Sequence, residues 1–160
     1  LKENTNLLDI GAYPGGWSQV ARQKIDTGKI MSLDLEKMEE IKQVSFLQDD
    51  FLKDSTRLQI LKFFKGNLDV ILSDMAADTT GNKSLDCIRT NQLCSEAIEF
   101  SYKNLKKNGV LVSKLFMGED FLQVKDLAKS KFEKVQFFKP EASRNESKET
   151  YLHCNTLKTL

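Results

Sequence analysis

The chain opens with a segment that predicts a strand, a tight turn and the start of a helix. Leu7 to Ile10 is a short apolar run, Gly11 follows it directly, and Gly15 and Gly16 precede a stretch of helical periodicity. Because glycine lacks a Cβ, it permits a sharp backbone bend and the close approach of a ligand to the main chain. The first turn of the helix then offers unpaired N–H groups to a polar ligand. The spacing is Gly-x-x-x-Gly-Gly rather than Gly-x-Gly-x-x-Gly, which disfavours a dinucleotide site.

Predicted strands and helices alternate along the rest of the chain. Further apolar runs of strand length occupy residues 30–33, 44–47, 68–72, 110–112, 135–138 and 150–154. Helical spacing is found at 17–25, 51–64, 87–105 and 121–129, and residues 82–86 are predicted to form a loop. This alternation predicts an α/β fold with a mostly parallel seven-stranded sheet and helices on both faces. Because no helix separates the last two strands, they are expected to form an antiparallel edge pair.

Composition limits the class of protein. With 160 residues, of which 40% are hydrophobic, the chain is expected to form one domain over 1–160. Its formal net charge of +1 gives no whole-molecule indication of a nucleic-acid partner. Cys87, Cys94 and Cys154 lack metal-ligand spacing and are interpreted as reduced thiols in a cytoplasmic protein, and with a single histidine no metal site is expected.

The apolar runs of the chain are short, and its first residue is not methionine. The runs are far shorter than the ~20 residues that span a membrane, and no signal-peptide pattern is present, so no membrane partner is expected. The chain begins at Leu1 rather than Met, a few residues before its first strand. We therefore expect further sequence upstream of Leu1.

Polar residues follow several of the predicted strands. In an open parallel sheet, ligands bind beyond the carboxyl ends of the strands, a rule that collects Gly11, Asp34, Asp50, Asp74 and Lys114 at one edge. Carboxylates there suit hydroxyl, amino and adenine-edge donors but repel phosphates. S-adenosylmethionine, a cationic nucleoside without phosphates, is therefore favoured over NAD or ATP. An acidic residue about 20 positions after a glycine turn often holds a ribose, although Asp34 is equally interpretable as a helix cap or turn residue.

Six segments carry a resemblance to a known family. Residues 9–19, 46–51, 73–76, 114–118, 139–140 and 147–151 read DIGAYPGGWSQ, FLQDDF, SDMA, KLFMG, KP and SKETY. Together they resemble the FtsJ/RrmJ family of S-adenosylmethionine-dependent RNA 2′-O-methyltransferases, whose fold is the Rossmann-like class I methyltransferase fold. The match extends from about Leu7 to Cys154, nearly the whole chain.

The resemblance implies a set of cofactor contacts. By analogy with the family, Gly15 and Trp17 contact S-adenosylmethionine, Asp34 holds its ribose and Asp50 its adenine. Asp74 is implied to lie near its methionine end. Taken alone, Trp17 is interpreted by default as core packing at the start of the helix, with a position in the lining of a cofactor pocket as the alternative.

The resemblance also implies catalytic residues. The last three members of the family's Lys-Asp-Lys-Glu set correspond to Asp74, Lys114 and Glu149, and the first lysine belongs to a helix that precedes Leu1. Two roles are open to Lys114. As a neutral amine it accepts the proton of a ribose hydroxyl, and as an ammonium it orients and polarises that hydroxyl.

The implied substrate is a ribose 2′-hydroxyl of RNA, for which a uridine of large-subunit ribosomal RNA is predicted, with S-adenosylhomocysteine as the other product. Relatives that modify tRNA or caps share the same core, and a catalytically silent cofactor- or RNA-binding module is the alternative from another class. A monomer is expected. Basic residues suited to RNA phosphates are Lys83, Arg89, Lys139, Arg144 and Lys148.

Overall fold

A computed structural model gives the fold of the protein and describes residues 3–139 and 148–159. The described residues form seven strands and four helices. The strands are β1 (Leu7–Ile10), β2 (Ile30–Asp34), β3 (Ser45–Gln48), β4 (Leu68–Ser73), β5 (Leu105–Phe116), β6 (Phe132–Phe138) and β7 (Glu149–Leu157). The helices are α1 (Gly16–Lys24), α2 (Asp54–Phe64), α3 (Lys83–Asn104) and α4 (Phe121–Lys131).

The strands form one sheet in the order β3-β2-β1-β4-β5-β7-β6. The pairs among β3, β2, β1, β4 and β5 are parallel, and β7 pairs antiparallel with both β5 and β6. The predicted mostly parallel seven-stranded sheet with an antiparallel edge pair is confirmed. Because β7 runs against β5, its first residues lie at the same edge as the carboxyl ends of the parallel strands.

Helices cover both faces of the sheet because buried strand residues alternate between the two faces. On one face, Leu7 and Val70 pack with Ile25, which follows α1. On the other face, Leu8 and Ile71 belong to a larger core with side chains of the remaining helices, among them Phe64 of α2, Ile98 of α3 and Ala128 of α4. Phe64 and Ile98 are almost completely buried, and burial of each such side chain contributes about 1.5–3 kcal/mol.

Helices α2 and α3 begin at positions that differ from the predicted ones. Residues 83–86, predicted as loop, form the first turn of α3, because the Asn82 side chain accepts a hydrogen bond from the Leu85 N–H and caps the helix. Helix α2 begins at Asp54 rather than at residue 51.

Strand β5 also begins earlier than predicted. Leu105 pairs with Leu68 and Val110 with Val70, so β5 advances five residues while β4 advances two. The polar segment 106–109, predicted to separate a helix from a strand, is an irregularity within β5. None of the helices in the described ranges combines the length and apolar character needed to cross a membrane.

Candidate active site

Gly11 directly follows β1 and lies against the backbone of the segment that follows β4. Its φ is +71°, and the N–H groups of Gly11 and Ala12 both donate to the carbonyl oxygen of Leu33. A Cβ at Gly11 would lie 2.8 Å from the backbone nitrogen of Met75. Glycine is therefore required here both for the left-handed conformation and for the close approach of two backbone segments.

A cavity of about 830 Å³ opens beside this turn, at the carboxyl ends of the parallel strands. Apolar side chains such as Leu33, Phe51 and Met75 line part of it. Its acidic lining residues are Asp34, Asp49, Asp50, Asp74, Asp78 and Glu96, and its basic ones are Arg89 and Lys114. This excess of carboxylates favours a cationic ligand and disfavours a phosphate-bearing one.

Asp34 is fixed at the end of β2 by backbone N–H groups. Its Oδ2 accepts a hydrogen bond from the Tyr13 N–H at 2.9 Å, and its Oδ1 accepts one from the Glu36 N–H at 2.8 Å. The interpretation as a turn residue and the interpretation as a ligand residue are thus compatible. Each carboxylate oxygen has a second lone pair, which leaves acceptor capacity for a ligand hydroxyl.

Asp49 and Asp50 have different surroundings although they are neighbours. Asp49 Oδ1 accepts from the Asp50 N–H at 2.8 Å and lies 3.5 Å from Lys53 Nζ. The hydrogen bond from Asp50 is the main reason that the pKa of Asp49 lies below its ordinary value. Asp50 Oδ1 accepts from the Leu52 N–H at 3.0 Å. Both residues line the cavity, and the contacts of Asp49 are those of a turn-stabilising residue.

A charged cluster lies at the β5 end of the cavity. Lys114 Nζ is 3.2 Å from Asp74 Oδ1 and 3.7 Å from Glu149 Oε2, and the lysine side chain is 14% exposed. Asp74 is held at the end of β4 because its N–H donates to the carbonyl oxygen of Ile10 on β1. Lys114 is therefore within ion-pairing distance of both carboxylates of the predicted catalytic set, although 75 positions separate Asp74 from Glu149 in the sequence.

Tyr151 adds a fourth member that the sequence analysis assigned no role. Its hydroxyl donates to Asp74 Oδ1 at 2.8 Å, and it pairs with Lys114 across the β5–β7 ladder. Burial, reinforced by the hydrogen bond to Asp74, raises the pKa of Tyr151 far above its ordinary value, so the phenol retains its proton. The available signal was its spacing from Glu149, because residues two apart on a strand share a face.

Asp9 lies beneath the glycine turn, away from solvent. It is 1% exposed, and its Oδ2 accepts from the Ser18 hydroxyl at 2.6 Å, which is in turn 2.5 Å from the Ser32 hydroxyl. Its Oδ1 has no hydrogen-bond partner among the described residues. Burial, with smaller contributions from Asp74 and Asp34, raises the pKa of Asp9 to about 7, against a lowering effect of Ser18.

Gly15 and Trp17, both implied to contact a cofactor, do not appear among the residues that line the cavity. A Cβ at Gly15 would lie 3.1 Å from the side chain of Ile41. The Trp17 ring packs against Tyr151 with centroids 5.6 Å apart, and Trp17 is half-buried. Their cofactor contacts remain predictions.

The basic residues expected near RNA are spread around the same edge. Arg89 is exposed and lines the cavity, and Lys83 is exposed at the first turn of α3. Lys139 and Lys148 are exposed beside the ends of β6 and β7. Arg144 lies outside the described residues.

The sequence model of the FtsJ-like methyltransferase family matches residues 1–157. The chain belongs to this family. The family resemblance of the motifs is thereby confirmed, and with it the expectation of a methyltransferase.

Two proteins named as ribosomal RNA methyltransferases are similar to this FtsJ-like methyltransferase. Ribosomal RNA large subunit methyltransferase E of Pelagibacter ubique is 41% identical over 157 residues, which cover 98% of this chain and 77% of that protein. A crystal structure from Plasmodium falciparum, named as a ribosomal RNA methyltransferase, has a TM-score of 0.86 at 28% identity and covers 98% of this chain and 88% of that one.

The fold extends to more remote structures. A Streptococcus mutans protein, named as a methyltransferase and solved in complex with SAH, has a TM-score of 0.64 at 15% identity, over 98% of this chain and 89% of that one. At this identity the likeness shows the fold alone, and that fold is the Rossmann-like methyltransferase fold that the family resemblance implied.

Proposed function

We propose that this FtsJ-like methyltransferase transfers the methyl group of S-adenosylmethionine to a ribose 2′-hydroxyl of RNA, namely a uridine of large-subunit ribosomal RNA. The observation that carries the proposal is the position of Lys114, which lies between Asp74 and Glu149 at the end of an acidic cavity. The names of the Pelagibacter and Plasmodium relatives support ribosomal RNA as the substrate.

The residues of the cavity fit S-adenosylmethionine. Asp34 would accept from the ribose hydroxyls and Asp50 from the adenine amino group, since both carboxylates keep acceptor capacity and line the cavity together with the apolar Phe51. Asp74 interacts favourably with the cationic methionine end. When bound, S-adenosylmethionine supplies an electrophilic methyl group on a sulfonium, so the protein need not activate the methyl donor.

The protein's own contribution is to position and deprotonate the acceptor. Lys114, held by two carboxylates, orients the 2′-oxygen in line with the methyl group, and such positioning can lower a barrier by about 7–11 kcal/mol in favourable cases. In the transfer, the oxygen–carbon bond would form as the carbon–sulfur bond breaks with its electron pair left on sulfur as a neutral thioether, and the hydroxyl proton would pass through the cluster of Asp74, Lys114 and Glu149 to solvent. Tyr151 keeps Asp74 in place by donating to it.

The basic residues around the edge are proposed to hold RNA phosphates. Arg89 and Lys83 lie on the α3 side of the cavity, and Lys139 and Lys148 lie on the β6–β7 side. Phosphate contacts from such residues position an RNA without reading its sequence.

A cytoplasmic location is proposed on the ground that the three cysteines are free thiols.

The decisive experiment measures methyl transfer from labelled S-adenosylmethionine to undermethylated large-subunit ribosomal RNA. Lys114→Met is expected to lower the rate at least about a hundredfold, the lower range for loss of a group that assists proton transfer. Lys131→Met is the matched control, because Lys131 also pairs with a glutamate, at 3.9 Å from Glu99, and its helix α4 contributes no residue to the cavity lining. Equal rates for the wild type and Lys114→Met would refute the assigned role.

Ligand binding separates this function from its alternatives. S-adenosylhomocysteine at 100 times its Kd is expected to stabilise the native protein by about 2.7 kcal/mol, and NAD is expected to have no effect. Stabilisation by NAD alone would refute the cofactor assignment. Binding of S-adenosylhomocysteine without methyl transfer to ribosomal RNA, tRNA or capped RNA would favour the silent module. Because the resemblance places one catalytic lysine before Leu1, the assay is also run on the chain extended upstream.

A further inference from the structure

Three side chains form a row across the antiparallel end of the sheet. Lys114 on β5 is the direct partner of Tyr151 on β7, and Tyr151 is the direct partner of Phe138 on β6. Directly opposed residues of antiparallel strands project to the same face. Lys114, Tyr151 and Phe138 therefore share one face, and the row continues the charged cluster away from the cavity.

The two aromatic rings of this row differ in exposure. Phe138 stacks on Tyr151 with ring centroids 5.8 Å apart and an interplanar angle of 22°, and Tyr151 also contacts Trp17. Tyr151 is only 7% exposed, whereas Phe138 is 46% exposed. Tyr151 thus acts as a buried support, and Phe138 is the ring that this aromatic stack presents to solvent.

The position of Phe138 relative to the cavity indicates which part of a substrate would contact its ring. The cavity lining includes Lys114 but no residue of β6 or β7, so Phe138 lies on the far side of Lys114 from the proposed cofactor position. Two strand spacings separate Phe138 from Lys114 in the sheet, about 10 Å between backbones. A nucleotide whose ribose lies at Lys114 has its neighbouring base within this range.

We propose that the Phe138 ring is a stacking platform for a nucleobase of the RNA, next to the nucleotide whose ribose is methylated. The proposal deepens the proposed function and rests on it. Single-stranded RNA is commonly held by stacking its bases on exposed aromatic rings, which tolerates any base because every base has a π-face.

The charge around Phe138 agrees with an RNA partner. Lys139 follows it directly in the chain, and Lys148 lies beside the neighbouring strand end; both are exposed. An aromatic ring for a base with lysines for the adjoining phosphates is the usual composition of a surface for single-stranded nucleic acid.

The test compares Phe138→Leu, which keeps an apolar side chain but removes the ring, with Phe138→Trp, which enlarges the ring. Leu58→Ala is the control, because Leu58 is also apolar and exposed, at 67%, on α2. Binding to undermethylated large-subunit ribosomal RNA and the KM and kcat for that RNA are measured. Phe138→Leu is expected to raise the RNA Kd and KM roughly fivefold to a hundredfold, with a smaller change in kcat. Phe138→Trp and Leu58→Ala are expected to match the wild type.

Two further readouts distinguish stacking from a structural role. Stabilisation by S-adenosylhomocysteine should be the same in the wild type and Phe138→Leu, and RNA should quench the emission of Phe138→Trp beyond its effect on Trp17 of the wild type. Unchanged RNA binding by Phe138→Leu, or loss of S-adenosylhomocysteine binding together with RNA binding, would overturn the inference while the wild type still methylates RNA. Failure of the wild type itself to bind or methylate RNA would overturn the proposed function as well.

Discussion

Stability should depend on pH through the buried carboxyl group of Asp9. This side chain is 1% exposed, accepts a hydrogen bond from the Ser18 hydroxyl, and has Asp74 and Asp34 as the charged groups that influence it. Burial is the largest reason that its pKa rises from 3.8 to about 7. The substitution Asp9→Asn removes the titration and preserves the shape of the side chain.

The sign follows from proton binding. Between pH 3.8 and about 7 the native protein keeps a proton on Asp9 that the unfolded chain releases. The free energy of unfolding therefore falls as the pH rises through this window and becomes level above it. At 1.36 kcal/mol for each pKa unit, the part of the window between pH 5 and about 7 corresponds to about 3 kcal/mol.

Urea unfolding of the wild type and Asp9→Asn at pH 5, 6, 7 and 8, without ligand, measures this effect. Other titrating groups are common to both proteins, so the difference between the two unfolding free energies isolates Asp9. Between pH 5 and pH 8, the unfolding free energy of the wild type should fall by about 3 kcal/mol relative to that of the variant. The absolute difference at any one pH is not diagnostic, because an asparagine amide would itself need a buried partner. A difference that varies by less than about 1 kcal/mol over this range would mean that Asp9 ionises near its ordinary pKa.

Two more perturbations follow from burial and packing. Gly28→Ala would place a Cβ 1.7 Å from the carbonyl oxygen of Thr5 and should lower the unfolding free energy by about 3 kcal/mol. Gly16→Ala, at a helical position with open space around it, should leave the unfolding free energy unchanged. Equal melting temperatures of the two variants by circular dichroism would contradict the predicted clash. Burial raises the pKa of Cys94 to about 12. A thiol reagent at pH 8 should therefore modify only the partly exposed Cys87 in the folded protein, and all three cysteines in urea. More than one reactive thiol in the folded protein would contradict this prediction.

The sequence predicted those features of the site that depend on strand ends. Asp34, Asp50, Asp74 and Lys114 all line one cavity because parallel strands place their carboxyl ends at one edge of the sheet. This rule needs only the order of strands and helices, which the hydrophobic periodicity of the chain encodes locally. It does not need the lengths of the elements, and so the errors at the starts of α3 and β5 did not affect the prediction that these residues gather at one edge.

The contacts between β5, β7 and β6 could not be predicted from the local sequence pattern. The pairing of Lys114 with Tyr151 and of Tyr151 with Phe138 depends on strand register, which is set by packing across the sheet. A shift by one residue would turn Tyr151 to the opposite face. The start of α3 carried a usable signal, since asparagine is a preferred N-cap and Asn82 stands directly before the helix.

Strand order also has a consequence for the order in which parts of the site form during synthesis. Every residue that lines the cavity lies between Ile10 and Lys114, whereas Glu149 and Tyr151 come from a strand that is made after β6 and inserts between β5 and β6. A nascent chain thus contains all the cavity residues well before it contains the groups that complete the charged cluster. Until β7 is added, β5 has an unpaired edge that is open to association with other chains. The same step that pairs this edge of β5 also completes the charged cluster.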